Sequence, residues 1–233
     1  MVIAKYRSMQ KEKDISKIET LNKKSNSHNY KISKRFFDII FSLIISPIVI
    51  IAITIISLYI KIKSPQNRVF FLQKRLGLNG KLFTVYKLNT MIPDAEKVLK
   101  EILKKDKKLR EEYEKYKKLK NDPRVIKGIG TFLRKTSLDE LPQFLNVFLG
   151  DMSVVGPRPY IKNEFKKYDN ILVKRISSVK PGVTGLWQVT ERNDTDFASR
   201  VKKDLEYIST QNFWMDIKII FLTLKVMLRR EGI

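Results

Sequence analysis

Cysteine is absent from the 233 residues, which excludes disulfides, thiolate metal sites and thiol nucleophiles and suits a chain kept on the reducing side of a membrane. Histidine is nearly absent: the single one, His28, sits in a polar Asn/Ser/Lys stretch, so neither a histidine general base nor a histidine metal centre is expected. Acidic residues are scarce as well. Asp and Glu total 24 against 47 Lys and Arg, a formal net charge of +23, and this excess points to anionic partners such as lipid head groups, phosphates or nucleic acid. No nucleic-acid motif accompanies the charge, which sets that partner aside. Catalysis, if present, falls to carboxylates, Lys, Arg, Tyr or Ser.

What is abundant is an apolar run over residues 36–62 with Ser46-Pro47 at its midpoint. Between Ile39 and Ile60 it carries no charge, and about 22 residues make roughly 33 Å of straight helix, enough to span a bilayer. Pro47 removes a backbone donor and clashes with the preceding turn, so a kink or break is expected there, with Ser46 helping to satisfy the freed carbonyls. Lys34 and Arg35 precede the run and Lys61, Lys63 and Arg68 follow it, so the positive-inside rule favours neither orientation. A helical hairpin that enters and leaves through the cytoplasmic leaflet resolves that conflict, and a kinked spanning helix is the plainer alternative. Asp38 at the start is expected to pair with Arg35 or to cap the helix. The run begins too late for an ordinary signal peptide and lacks a small-residue cleavage site, so it reads as an uncleaved anchor.

The remaining chain divides by pattern. Residues 1–32 are polar and weakly periodic, as expected of a flexible basic tail. Residues 68–71 and 81–88 read as strands around the turn signal Gly77-Leu78-Asn79-Gly80, a small hairpin. Residues 94–120 are strong helix formers with apolar residues at three-, four- and seven-residue steps, broken near Asp106 and ended by Asn121-Asp122-Pro123. Residues 204–210 form a short helix. At the end, Trp214, Ile217, Phe221, Leu224 and Leu228 share one helical face, which suits the head-group layer or a protein core. The fold class is therefore α+β: a mostly helical, membrane-associated domain with a re-entrant broken helix, a small hairpin and amphipathic interfacial helices. The expected division is a tail (1–32), a membrane hairpin (33–63) and a cytoplasmic catalytic domain on the membrane surface (64–233).

Two places carry candidate chemistry. Thr136-Ser137-Leu138-Asp139-Glu140-Leu141-Pro142-Gln143 sets adjacent carboxylates before an apolar helical run. Ser137 to Glu140 is spaced as a capping box, and Asp139 with Pro142 in the first turn suits an N-cap. The same geometry gathers a carboxylate, a hard cation and a phosphate at a helix N-terminus. Gly156-Pro157-Arg158-Pro159 holds an arginine between two prolines, which restrict the backbone and aim a guanidinium fork that matches phosphate. Near the hairpin, Arg75 and Lys87 add positive charge and Gln73 a neutral amide.

These motifs, in order, resemble the bacterial sugar transferase family, the small monotopic phosphoglycosyl transferases, and in particular its capsule, exopolysaccharide and O-antigen initiating enzymes. The likeness covers about residues 34–230: Lys34-Arg35-Phe36-Phe37-Asp38, Ser46-Pro47, Gln73-Lys74-Arg75-Leu76-Gly77, Asn121-Asp122-Pro123-Arg124, the Leu133 to Gln143 stretch, Gly150 to Pro159, and Lys180-Pro181-Gly182-Val183-Thr184-Gly185-Leu186-Trp187-Gln188. The resemblance implies transfer of a sugar-1-phosphate from a UDP-sugar to polyprenol phosphate with release of UMP, at the cytoplasmic face of the bacterial inner membrane. It implies Asp139 as nucleophile of a covalent phosphosugar intermediate, Glu140 as a Mg²⁺ or proton-handling partner, with the metal shared between Asp139 and Glu140, and Arg158, Arg75 and Lys87 on phosphate. It also favours the re-entrant hairpin, with Lys34, Arg35, Asp38, Ser46 and Pro47 as its anchor and break. Membrane lipids are implied partners, and the oligomeric state is left open. Two departures stand out: Asn89 where the family often has arginine, and Glu191 where it often has small residues. The rival class is a non-catalytic basic scaffold on the membrane, in which the carboxylates only cap a helix.

Overall fold

The computed structural model describes residues 28–63, 65–166, 168–190 and 195–229. Most of the expected tail and Glu191 lie outside them. The apolar run folds as one helix, α1 (His28–Lys63), with Pro47 inside. Helix continues on both sides of the proline, so the expected break does not split the run into two elements and is at most a bend within one. The carbonyl that Pro47 deprives of a donor is that of Leu43, and it accepts instead from Ser46 Oγ at 2.9 Å, so a hydroxyl replaces the missing amide. Only Asp38, Ser42, Val49 and Ile60 are buried along this helix, at heptad-like steps that define one inward stripe. The other faces carry Ile44, Ile48, Ile55 and Leu58 into the open, and just 11% of the most apolar window is covered by protein. Among the described residues this is the one helix long and apolar enough to cross a membrane.

The start of α1 is fastened by polar contacts different from those expected. Asp38 accepts from Ser153 Oγ and Val154 N, both at 3.0 Å, rather than pairing with Arg35. Arg35 instead donates to the carbonyls of Val147 and Phe148 at 2.6 and 3.0 Å, in the last turn of the helix α5 described below, where a cation is favoured. Lys34 meets Asp216 at 2.6 Å.

The hairpin is present: β1 (Phe70–Leu76) pairs antiparallel with β2 (Leu82–Leu88), in a register that sets Arg75 opposite Phe83 and Phe71 opposite Lys87. Because side chains alternate across a strand, Arg75 and Lys87 emerge on the same face. Then come α2 (Ala95–Lys105) and α3 (Lys107–Tyr116). They break at Asp106 as expected, and Asp106 caps α3 by accepting from Leu109 N. Neither helix contains a buried residue. The rest comprises α4 (Ile129–Thr136), α5 (Gln143–Leu149), β3 (Ser153–Val155), α6 (Asn170–Ile176), β4 (Gly182–Thr184), α7 (Leu186–Thr190), α8 (Phe197–Thr210) and α9 (Phe213–Leu228). Strands β3 and β4 pair in parallel. The core joins Val85 and Phe83 of the hairpin to Val147, Met152, Phe165, Phe197 and Tyr207, with Tyr160, Phe165 and Phe197 meeting edge to face at 5.2–5.6 Å.

The terminal helix settles the choice between core and surface. Its buried residues are Asp216, Ile219 and Val226. Trp214, Phe221, Leu224 and Leu228 all point outward, with Trp214 78% exposed. The core reading of that face is therefore excluded.

Candidate active site

The acidic pair sits on a single 3₁₀ turn, Leu138–Glu140. The capping reading does not hold. Ser137 takes a left-handed conformation, φ 57°, at the end of α4 and makes no side-chain cap. Glu140 turns to Lys87 Nζ, at 2.5 Å. Helix α5 starts three residues beyond the pair, with Pro142 at its N-cap position and no side-chain cap. Two carboxylates thus stand at a helix approach without serving the helix.

What holds the turn in place is Asn146, fully buried on α5. Its Oδ1 accepts from Tyr86 N at 3.1 Å and its Nδ2 donates to Thr84 O at 2.7 Å. The amide side chain copies a neighbouring strand, tying α5 to the edge of β2. That tie places Lys87 on Glu140 and both beside Asp139. Arg134, one turn earlier on α4, is held by Thr90 Oγ1 at 2.9 Å, and its charge acts on Asp139.

Asp139 is 9% exposed. Burial raises its pKa to about 6; Lys87 and Arg134 work against that rise and the neighbouring Glu140 adds to it. It is therefore ionised at neutral pH yet poorly solvated, a state that favours attack on phosphorus.

The Pro-Arg-Pro loop is clamped on three sides. Gly156 N donates to Thr184 O, Gly182 N to Pro157 O, and Arg158 N to the buried carboxylate of Asp204 at 3.0 Å. Glycine is obligatory at 156, since a Cβ there would lie 2.6 Å from Lys180 O and 2.7 Å from Gly182 N. Arg75 joins the loop by donating to Pro159 O at 2.9 Å and to Gln73 Oε1 at 2.5 Å. Burial, followed by the charge of Arg158, lowers the Arg75 pKa to about 10.

All five residues picked from sequence, Asp139, Glu140, Arg158, Arg75 and Lys87, line one groove of about 2240 Å³. Asn89 lines it too, although its side chain accepts from Met91 N and so closes a local turn. The groove continues to Phe41, Ile45 and Val49 of α1 and to Ile220 and Leu224 of α9. Sequence reading missed Arg134, Arg200 and Asn146. The first lay inside a quoted motif, whereas Asn146 and Arg200 gave no local signal because their partners are 60 and 84 residues distant. The pair Asp122–Arg124 lies in the same groove and is self-contained, Nε to Oδ1 being 2.8 Å.

For a divalent cation, Asp139 and Glu140 are the candidate donors, and no cluster of three or more carboxylate, His or Cys ligands exists among the described residues. That set fits Mg²⁺, which commonly takes one or two carboxylates and completes its shell with water and substrate phosphate.

Comparison with known proteins agrees with this geometry. Residues 29–230 match the model of the family described as bacterial sugar transferase. An undecaprenyl-phosphate galactose phosphotransferase of Salmonella typhimurium is 47% identical over 199 residues, 85% of this chain and 41% of that protein. The UDP-glucose:undecaprenyl-phosphate glucose-1-phosphate transferase of Escherichia coli is 38% identical, covering 83% of this chain and 39% of its own length. The exopolysaccharide production protein ExoY of Rhizobium meliloti is 38% identical and is covered over 87% of its length. This chain thus spans about two fifths of the first two relatives and most of the third. With the match running from the apolar helix to the terminal helix, the chain belongs to the bacterial sugar transferase family.

Proposed function

We propose that this chain is a phosphoglycosyl transferase that moves a sugar-1-phosphate from a UDP-sugar to polyprenol phosphate and releases UMP, at the start of surface polysaccharide assembly. The observation that carries the proposal is the groove itself, which joins a buried, cation-flanked carboxylate to the apolar stripe of α1. A soluble nucleotide donor and a lipid phosphate have to meet in one place, and this groove offers a charged end and a greasy end. The Salmonella and E. coli relatives, both named for an undecaprenyl-phosphate acceptor, support the same chemistry.

The step follows from the residues. An Asp139 carboxylate oxygen attacks the sugar-bearing phosphorus, the bond from that phosphorus to the bridging oxygen breaks, and UMP leaves with the oxygen and its electron pair. A phosphate oxygen of the lipid then attacks the same phosphorus and returns the Asp139 carboxylate. Lys87 and Arg134 steady Asp139 as an anion, and Arg158 offsets charge that builds on the phosphates. Mg²⁺, held by Asp139 and Glu140, would neutralise phosphate charge when bound. The proposed seat is the cytoplasmic face of the cell membrane, supported by the outward apolar faces of α1 and α9, with the Arg35 and Asp38 contacts holding α1 to the domain. In that seat α1 enters and returns through one leaflet, and its Pro47 marks the bend.

The test is UMP release by detergent-solubilised protein from a panel of UDP-sugars, with polyprenol phosphate and Mg²⁺, beside Asp139→Asn. Release that needs the lipid and is lost in the variant is expected. Full activity in Asp139→Asn would overturn the covalent step.

A further inference from the structure

The groove that holds Asp139 also holds a second concentration of charge. Arg200 on α8 is only 2% exposed, and its guanidinium sits 5.5 Å from the ring of the fully buried Trp187; that of Arg158 sits 5.8 Å from the same ring. Arg75 reaches the same loop through Pro159. None of these three arginines makes an ion pair among the described residues. The Nε atoms of Arg75 and Arg200 are buried without a hydrogen-bond acceptor. Burial and then the Arg158 charge depress both Arg75 and Arg200 to about 10.

Gathering three guanidiniums without a paired carboxylate is unfavourable in a protein interior. The Trp187 face offsets part of that cost. So does Asp204, fully buried at 0% exposure, which accepts from Arg158 N and from Tyr160 Oη at 2.8 Å. Arg200 also donates to the carbonyl of Tyr116 at the end of α3. Glu164 lines the same groove and its charge acts on Arg75 and Arg200, as that of Asp196 does on Arg200, so what these contacts leave for a ligand is guanidinium donors that no carboxylate pairs directly among the described residues.

We infer that Arg200, with Arg158 and Arg75, forms an anion cradle for the nucleoside-linked phosphate of the donor, the group that leaves as the nucleoside monophosphate. This deepens the function proposed above and rests on it for the identity of the donor. Lys87 and Arg134 flank the phosphorus that Asp139 attacks, and the cradle takes the neighbouring phosphate, whose charge rises as the bond breaks. Arg200 is a positioning and charge-bearing residue behind Arg158 and is not assigned contact with the reacting atoms.

The test measures UMP, UDP and uridine binding to the full-length protein in detergent, for native, Arg200→Met and Arg200→Lys chains. Arg200→Met is expected to weaken UMP and UDP roughly ten- to hundredfold, to leave the much weaker uridine binding unchanged, and to flatten the salt dependence. Arg200→Lys is expected to recover part of the loss. Equal UMP affinity in native and Arg200→Met protein, or equal losses for uridine and UMP, would overturn the cradle and leave Arg200 as a tie between α8 and Tyr116. Should Arg200→Met fail to fold, the native protein decides: inorganic pyrophosphate has to displace UMP competitively, and failure to compete overturns the proposal. Binding is read apart from transfer. A cradle that binds nucleotide in an Arg200-dependent way without lipid-dependent UMP release would retain the inference and overturn the reaction. Normal transfer with Arg200-independent binding would do the reverse.

Discussion

At the scale of the residue, Asp139 shows what burial costs and supplies. Its folded pKa of about 6 exceeds the ordinary 3.8, so between those values the folded state holds the proton more tightly than the unfolded chain. The resulting stability is complete below about pH 4 and disappears as pH rises through 6; at neutral pH the ionised group opposes folding by up to roughly 3 kcal/mol. Two outcomes follow. The rate of the first transfer step is expected to fall on acidification with an apparent pKa near 6, measured as burst release of UMP. Asp139→Asn is expected to be inactive and more stable than the native chain above pH 7, measured by urea unfolding in detergent; a helix cap would lose stability on the same change. Gly156 argues the other side of residue-scale constraint. Gly156→Ala drives a methyl into the Lys180 carbonyl, and a cost of roughly 2–3 kcal/mol is expected, with loss of activity as the Arg158 loop moves.

At the scale of the element, the hairpin, the α2–α3 break at Asp106 and the amphipathic terminal helix were legible because turn residues and apolar spacing act within a few residues of one another. The capping box was misread for a physical reason. The Ser-to-Glu spacing is local, but Ser137 is forced left-handed where α4 ends and Glu140 is taken by Lys87, 53 residues away. Asn146 illustrates the same limit: alone it reads as a polar residue in an apolar helix, and in the fold it is the joint between α5 and β2. Asn146→Ala strands a buried amide and a buried carbonyl, so a loss of roughly 2–4 kcal/mol is expected in thermal or urea unfolding. Activity is expected to fall with it as Lys87 and Glu140 separate. In α1, Pro47→Ala restores the amide donor to Leu43. Because the native chain has no cysteine, single Lys31→Cys and Lys63→Cys variants report sidedness in membrane vesicles. Both are expected to react from one side in the native background, and one of them to switch sides with Pro47→Ala.

At the scale of the whole molecule, charge and grease are sorted onto one object. The net charge of +23 favours anionic bilayers, with an attraction of about 1 kcal/mol per basic residue near the surface that fades beyond a Debye length. The two tryptophans divide cleanly, Trp187 at 0% and Trp214 at 78% exposure. Anionic vesicles are therefore expected to blue-shift emission through Trp214, the shift weakening in high salt and vanishing in Trp214→Phe. Failure to shift would remove α9 from the membrane surface. Phe41, Ile45 and Val49 of α1 and Ile220 and Leu224 of α9 line the groove, which under the proposed function would give a lipid phosphate an apolar approach to Asp139.

The sequence by itself determined the hairpin, the helices and the long apolar run, since each rests on residue chemistry or on spacing within one or two turns, and the ordered motifs that resemble the family singled out the acidic pair and Arg158. Only the tertiary structure decided that Asp139 is buried without capping a helix, that Lys87 belongs to Glu140, that Asn146 ties the site to the hairpin and that Arg200 stands behind Arg158. The contacts behind them, Lys87 to Glu140, Asn146 to Tyr86 and Arg200 to Tyr116, span 53 to 84 residues. Desolvation and charge coupling depend on distance in space, which spacing along a chain does not encode.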